Sequence, residues 1–339
     1  MADNEKAMQC PDFKDRKIGL VIFGILEIIL GAFCALLVPF MMVGMILSAT
    51  LNKNPDTSMS VGLIILSVLF YSALAVWFIW MGIGSIKARR WARALLLVSS
   101  WFWFISGING LISILVLMPD MFTQMAQSGQ MPKEAAVIIK YVMLGFLAVF
   151  FIIIPGVLIL FYGSRNVKKT CESRDPQIRW TDKCPLPVLA VSLIAMLWAV
   201  SMLFLGFFGW TIPFFGYVLN GIAGAGVVLA LILLLSYIAW GTYKLSIKAW
   251  WCAMIVTIVW AISTGITFSS VSLLDFYEKM NFPKQQLEMM KQYSLPQYSN
   301  MALYFGIWVI AFLGYLLYTK RYFVSPSIPT QSVNTIHNS

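Results

Sequence analysis

The stretch Ser164–Pro185, SRNVKKTCESRDPQIRWTDKCP, is a strongly polar segment near the middle of a chain of 339 residues. On each side of it lie four long apolar segments, in a sequence that is 60% hydrophobic and only 11% charged. The mean hydropathy is +0.82, and a soluble domain needs more polar surface than this composition provides. The sequence therefore predicts an all-α, polytopic integral membrane protein in which this stretch connects two membrane units.

Eight apolar segments match the length of helices that cross a bilayer, since one span needs about 20 apolar residues. We interpret the first as a retained span rather than a signal peptide, because no small-residue cleavage site follows at the usual distance. The predicted spans are Ile18–Leu47, Val61–Ile86, Ala94–Leu117, Tyr141–Tyr162, Leu186–Trp210, Phe214–Tyr243, Ala249–Leu274 and Met301–Tyr318.

The spans divide the chain into five parts. A cytoplasmic segment, 1–17, precedes the first membrane unit, 18–163, and a cytoplasmic linker, 164–184, leads to the second unit, 185–318. The polar tail, 319–339, has no apolar periodicity, so we predict that it is disordered.

The distribution of basic residues predicts the orientation. With the N-terminus inside, 18 of the 24 lysines and arginines, including every arginine, lie in the inner segments. Because lysine and arginine favour the cytoplasmic side of a membrane, both termini are predicted to be cytoplasmic. Basic inner loops and compact outer loops also favour a bacterial inner membrane. The net charge of +10 is explained by the same flanking residues, so no nucleic-acid partner is predicted.

Short matches recur in the same order in the two halves of the chain. Cys10-Pro11 recurs 174 residues later as Cys184-Pro185, and Trp103–Ser106 recurs 157 residues later as Trp260–Ser263. The outer turn after the first span is longer by 17 residues than the connection after the fifth span. This one difference accounts for the change in spacing from 174 to 157. We therefore predict two tandem four-helix repeats. Because four is an even number, the repeats lie parallel, related by a pseudo-twofold axis along the membrane normal.

Two further matches have slightly different spacings. The tetrapeptide Ser85–Ala88 recurs as Ser246–Ala249 at a spacing of 161, which requires an additional gap. Tyr162–Arg165 resembles Tyr318–Arg321 at a spacing of 156. Single matches of this kind also arise by chance among membrane helices, which share a small alphabet of residues.

Glu27 is the only acidic residue inside a predicted span, and it lies near mid-membrane. Intramembrane carboxylates often mark ion or proton paths, because a buried charge is costly. The alternative is a protonated acid that is hydrogen-bonded to a neighbouring helix. Together with Asn109 and Asn220, Glu27 forms a candidate intramembrane polar site. The glycine-rich run Asn220–Gly226 indicates either close helix packing or a broken helix.

Enzymatic chemistry is the least favoured class. His337 is the only histidine and lies in the tail, which excludes histidine relays and histidine metal ligands within the spans. Cys10, Cys171 and Cys184 lack the spacing of a zinc knuckle, so reduced structural thiols are favoured over a metal. No cofactor or metal is predicted.

Methionine is abundant in the two long outer loops, Met118–Lys140 and Asp275–Asn300. Thioethers can hold Cu(I), but the helical spacing of these methionines favours amphipathic helices on the membrane surface or over the bundle. Flexible methionine side chains also suit adaptable contacts with a protein partner.

Two hypotheses of function follow. The first is a non-enzymatic membrane component that binds a partner or senses the membrane through the outer loops or the linker. The second is a transporter or channel for a small or apolar solute, with a path between the two repeats. An enzyme acting on lipid headgroups comes third. The sequence specifies neither the substrate nor the oligomeric state.

Overall fold

The computed structural model describes residues 13–51, 61–117, 132–280, 282, 287–288, 291 and 298–324. Within these ranges the chain is nearly all α-helical. The elements are α1 (Lys17–Leu51), α2 (Val61–Ile86), α3 (Arg90–Leu117), α4 (Lys133–Ala148), a π-helical turn (Val149–Ile153), α5 (Ile154–Gly163), α6 (Arg165–Arg174), a 3₁₀ turn (Trp180–Lys183), α7 (Leu186–Leu203), a second 3₁₀ turn (Phe204–Phe208), β1 (Ile212–Phe214), β2 (Tyr217–Leu219), α8 (Gly221–Tyr243), α9 (Ile247–Ser270), α10 (Leu273–Lys279), α11 (Tyr298–Thr319) and α12 (Arg321–Val324).

Among the residues that the structure describes, seven helical segments are long and apolar enough to cross a membrane, which indicates a multi-pass membrane protein. Each overlaps one of the first seven predicted spans. α11 covers the eighth predicted span, but it is not among these seven segments. The seven are Lys17–Gly44, Ile64–Ile86, Arg90–Ile112, Val137–Gly163, Leu186–Phe208, Gly221–Tyr243 and Ile247–Ser270.

The sixth span differs from its predicted start. We expected a helix from Phe214, whereas α8 begins at Gly221 and the preceding residues form an antiparallel hairpin of β1 and β2. The turn of this hairpin has left-handed φ angles of 41° at Phe215 and 90° at Gly216. Apolar composition alone does not distinguish a short buried strand from a helix, which explains the error.

The hairpin is held by two side chains of α9. Ser263 Oγ accepts a hydrogen bond from the backbone N–H of Phe215, and Thr267 Oγ1 accepts one from Gly216, both at 3.0 Å. Non-helical backbone near a membrane is tolerated only where its polar groups find partners within the protein. These two hydroxyl groups supply such partners at the tip of the hairpin.

The helices pack in the same order on both sides of the linker. In the first half (α1–α6), α1 packs on α2, α2 on α3, and α3 on α5; in the second half (α7–α12), α7 packs on α8, α8 on α9, and α9 on α11. Each half has a buried cluster of apolar side chains, and that of the second half also includes Ala94 of α3. α7 joins the clusters, because Leu186 and Leu193 pack against both of them.

Two tight turns, between α2 and α3 and between α8 and α9, have the same backbone geometry. Ala88 and Leu245, 157 residues apart, have left-handed φ angles of 49° and 58°, a conformation that non-glycine residues seldom adopt. Ala88 N–H donates to the carbonyl of Ser85 at 2.8 Å, and Leu245 N–H donates to that of Thr242 at 2.9 Å. We call these the first and second inner turns, after the side of the membrane on which the sequence predicts them.

The next residue in each inner turn completes the motif. Arg89 N–H donates to the carbonyl of Gly84, and Ser246 N–H donates to that of Gly241, both at 2.9 Å. This pair of bonds is the Schellman arrangement, which closes a helix C-terminus. Both glycines lie against the first turn of the next helix, where an added Cβ would collide with an alanine Cβ, that of Ala92 for Gly84 and of Ala249 for Gly241.

Candidate functional site

Glu27 belongs to a chain of hydrogen bonds that connects three helices of the first half. Its side chain, on α1, is only 5% exposed. The hydroxyl of Tyr162, on α5, lies 3.3 Å from Glu27 Oε1 and 2.7 Å from Ser85 Oγ on α2. Ser85 Oγ in turn donates to the backbone carbonyl of Leu20 at 2.9 Å. The chain therefore joins α1, α2 and α5 through buried polar atoms.

The number of protons in this chain has a chemical consequence. Three links need three protons, whereas Tyr162 and Ser85 contribute one each. All three links are filled when Glu27 supplies the third proton as a neutral carboxylic acid. Its other oxygen, Oε2, is buried and has no hydrogen-bond partner among the described residues, which also suits an uncharged group.

The structure does not bring Asn109 and Asn220 to Glu27. Glu27 lies ten residues into α1, and Asn109 lies nineteen residues into α3. These helices start at the same end of the bundle, so the two positions differ in depth by about 13 Å at 1.5 Å per residue. Asn220 is exposed and directly precedes α8. The other end of α8 lies at the linker, because Tyr243 Oη donates a hydrogen bond to the carbonyl of Trp180 at 3.0 Å. Asn220 therefore lies at the end of α8 that is far from the linker.

Replacing Tyr162 with phenylalanine should lower the free energy of unfolding by about 1–2 kcal/mol, because it removes a buried bond between helices and leaves Glu27 and Ser85 with fewer partners. The measurement is reversible denaturation of the purified protein in mixed micelles. Tyr237→Phe is the matched control, since Tyr237 is half-exposed on α8. Equal losses in the two variants would contradict a role for the chain in stability.

A second polar cluster lies where the linker meets the first inner turn. Asp175 is 1% exposed and accepts hydrogen bonds from Arg179, the shortest being 2.7 Å. It also pairs with Arg89 at 3.3 Å and accepts a bond from the backbone N–H of Arg90 at 3.3 Å, at the start of α3. The hydrogen bonds from Arg179 are the main reason that the pKa of Asp175 lies below its usual value. Asp175 thus anchors the linker to the turn.

The other acidic side chains that the structure describes at this end are paired as well. Arg90 lies 3.5 Å from both Glu172 and Asp182, and Arg174 lies 2.7 Å from Asp15, which precedes α1. The linker therefore packs against the first half. The burial of Asp175 does not follow from the polar composition of the linker.

The thiols of the linker lie in surroundings that favour the protonated form. Burial raises the pKa of Cys171 to about 11 and that of Cys184 to about 12, so the nucleophilic thiolate is scarce at neutral pH. Within the described ranges, no group of three or more histidine, cysteine or acidic residues is placed to hold a metal. Cys10 lies outside these ranges.

The described part of the second predicted outer loop, Asp275–Asn300, packs near the hairpin. α10 begins after Ser272, whose Oγ accepts a hydrogen bond from the N–H of Asp275 at 3.1 Å. At its other end, the carbonyl of Lys279 accepts a bond from Thr211 Oγ1 at 3.3 Å, and the Phe282 ring stacks on Phe208 at 5.8 Å. The predicted surface helix of the first loop falls largely on residues 118–131, outside the described ranges.

No family model, curated protein or solved structure matches this chain. Its function must therefore be inferred from the geometry of the two polar clusters. In both clusters the side chains join separate elements of the fold, as hydrogen-bonding and ion-pairing groups do when they stabilise packing.

Proposed function

We propose that the protein is a non-enzymatic component of the bacterial inner membrane that binds a partner or senses the membrane. It has eight spans in two tandem parallel repeats, with both termini in the cytoplasm. The observation that supports this function best is the engagement of Glu27 with Tyr162 and Ser85 inside one half. Because the Glu27 carboxyl is hydrogen-bonded within the first half, the proposed path between the halves lacks its principal polar group.

The two-repeat architecture is supported by the inner turns. Two Schellman turns with left-handed alanine and leucine, 157 residues apart, are most simply explained by duplication of one ancestral unit. The same spacing separates the matched tryptophans Trp103 and Trp260. In this architecture α11 is the eighth span, equivalent to the α4–α5 region.

The partner-binding surface in this proposal comprises the outer loops Met118–Lys140 and Asp275–Asn300. α10 supports the second loop, because its cap at Ser272 and its contact with Thr211 fix a short helix beside the hairpin. A segment that is already fixed suits protein binding, because less conformational entropy is lost when the partner binds.

A transporter or channel for a small or apolar solute is the alternative. It is favoured by the duplication and by the glycine-rich start of α8. Packing accounts for part of that glycine run, because a Cβ on Gly224 would collide with the backbone carbonyl of Trp210 in the connection before the hairpin. Gly221, with a φ of 57°, provides the left-handed residue at which the chain enters α8.

The test is proton flux into vesicles that contain the purified protein and an entrapped pH-sensitive dye. We expect the parent protein and Glu27→Gln to show the same flux as protein-free vesicles, because the Glu27 carboxyl is engaged in packing. Glu134→Gln, which neutralises an exposed acid on α4, is the control. Flux through the parent that Glu27→Gln abolishes and Glu134→Gln preserves would overturn the scaffold proposal in favour of transport.

A further inference from the structure

The inner end of the second half carries four basic side chains that have no acidic partner among the described residues. Lys244 and Lys248 lie at the second inner turn and the start of α9, and Lys320 and Arg321 lie between α11 and α12. Within the part of the chain that the structure describes, none of the four forms an ion pair. We call this group the second-half basic patch.

The described acidic side chains at the same end of the molecule do not pair with the second-half basic patch. They are all paired with basic side chains of the first half or the linker: Asp15 with Arg174, Glu172 with Lys168 and Arg90, Asp175 with Arg89 and Arg179, and Asp182 with Arg90. The linker thus neutralises the first inner turn. Among the described residues, no acidic side chain does the same for the second inner turn.

Aromatic rings hold three of the four cations in place. Lys320 Nζ lies 5.4 Å and 5.2 Å from the ring centroids of Trp250 and Trp251. Lys244 Nζ lies 5.2 Å from Trp240, and the Arg321 guanidinium lies 4.0 Å from Tyr318. Cation–π contacts orient a cation without removing its charge. The patch is therefore ordered and remains positive.

The position of the patch indicates what its charge meets. It lies at the ends of α8, α9 and α11, and the rings of Trp251 and Tyr318 are about half exposed. Tryptophan and tyrosine concentrate where the hydrocarbon meets the headgroups of a bilayer. Ordered cations at that depth face lipid phosphates.

We propose that the second-half basic patch binds the phosphate headgroup of an anionic lipid of the cytoplasmic leaflet. The phosphate fills the role that Asp175 fills at the first inner turn, where a carboxylate of the chain itself meets Arg89 and the start of α3. The ligand is a lipid rather than a soluble anion, because Trp251 and the neighbouring helix surfaces offer apolar contact to an acyl chain. The site goes beyond the proposed function, since it serves a scaffold and a transporter equally.

The test is a titration of the full-length protein, in a neutral detergent, with a short-chain phosphatidylglycerol, followed by native mass spectrometry. Lys244→Gln/Lys320→Gln should bind about 25-fold more weakly than the parent, since each basic residue at an anionic surface contributes about fivefold, or about 1 kcal/mol. The charge-conserving variant Lys244→Arg/Lys320→Arg should bind within about threefold of the parent, because the positive charge at the patch is kept.

Two controls separate a specific site from general attraction. Lys140→Gln/Lys279→Gln removes two charges from the opposite end and should bind as the parent does. Short-chain phosphatidylcholine, which carries no net charge, should bind at least about tenfold more weakly than phosphatidylglycerol. Equal affinity of the parent and Lys244→Gln/Lys320→Gln, or an equal loss in the control variant, would overturn the proposal. Displacement of the lipid by inorganic phosphate at matched concentration would also overturn it, because the site would then recognise a soluble anion.

Discussion

Asp175→Asn is expected to lower the free energy of unfolding by about 2–3 kcal/mol, because it removes the carboxylate that Arg89, Arg179 and the start of α3 share. The acid is 1% exposed, whereas its two arginine partners are partly exposed. Because those arginines are partly hydrated, the loss in the free energy of unfolding should be smaller than for a fully buried ion pair. Denaturation in mixed micelles measures the difference.

Glu172→Gln is the matched control, because Glu172 lies on the same linker and pairs with Arg90 but is 38% exposed. Its loss should stay within about 0.5 kcal/mol, as for other surface ion pairs. Similar losses in both variants would contradict the anchoring role of Asp175.

The interaction of Asp175 with Arg89 and Arg179 should also make the free energy of unfolding depend on pH. The pKa of Asp175 is lowered in the folded protein, so its contribution is present above the unfolded pKa of about 3.9 and is lost as the pH falls through the folded value. The stability of the parent should therefore approach that of Asp175→Asn in acid. A constant difference between the two proteins down to the lowest accessible pH would contradict this linkage.

Gly84→Ala and Gly241→Ala should each lower the free energy of unfolding by about 1–3 kcal/mol, because the added methyl group overlaps an alanine across an inner turn. The two losses should be similar, since the turns have the same hydrogen bonds and the same left-handed residue. Denaturation of the two single variants and of the double variant measures both losses.

Gly226→Ala provides the control within α8, because a Cβ added there would meet no described atom within 4 Å apart from the adjacent backbone of its own helix. Alanine is a better helix former than glycine, so this variant should be as stable as the parent or slightly more stable. A loss at Gly84 without a comparable loss at Gly241 would contradict the structural equivalence of the two turns.

The class of protein and the positions of seven spans could be predicted from the sequence, because long apolar segments carry a strong physical signal. The connection before α8 could not, since Ile212–Leu219 is as apolar as a helix and differs only in backbone conformation. The φ angles at Phe215 and Gly216 that turn the chain into a hairpin are stabilised by Ser263 and Thr267, about fifty residues away in the chain.

The repeat spacing of 157, inferred from Trp103 and Trp260, is also the spacing of the inner turns. The tetrapeptide match between Ser85 and Ser246 does not correspond to this geometry. Ser85 lies in the last turn of α2, whereas Ser246 precedes α9, on the other side of its turn. Tyr162 and Tyr318 also differ, since Tyr162 is buried and Tyr318 is about half exposed.

The partners of Glu27 were not foreseen for a related reason. Tyr162 and Ser85 are common residue types at ordinary positions of their spans, and only the packing of α1, α2 and α5 brings them to the acid. Asp175 was equally hidden within a polar stretch, because burial of one carboxylate among several depends on where the linker folds back. A polar residue in a linker therefore gives little indication of its partners until the tertiary structure is known.

The docking of the linker also limits how far the two halves can separate. Asp182 pairs with Arg90 of α3, and α7 begins at Leu186, so only Lys183, Cys184 and Pro185 bridge the halves. Four consecutive Cα–Cα steps reach at most about 15 Å, and the proline makes this segment stiffer. The linker therefore forms a short connection between the two halves. A rocking motion of one half against the other would pivot at the end that carries the linker and would separate the halves at the opposite end.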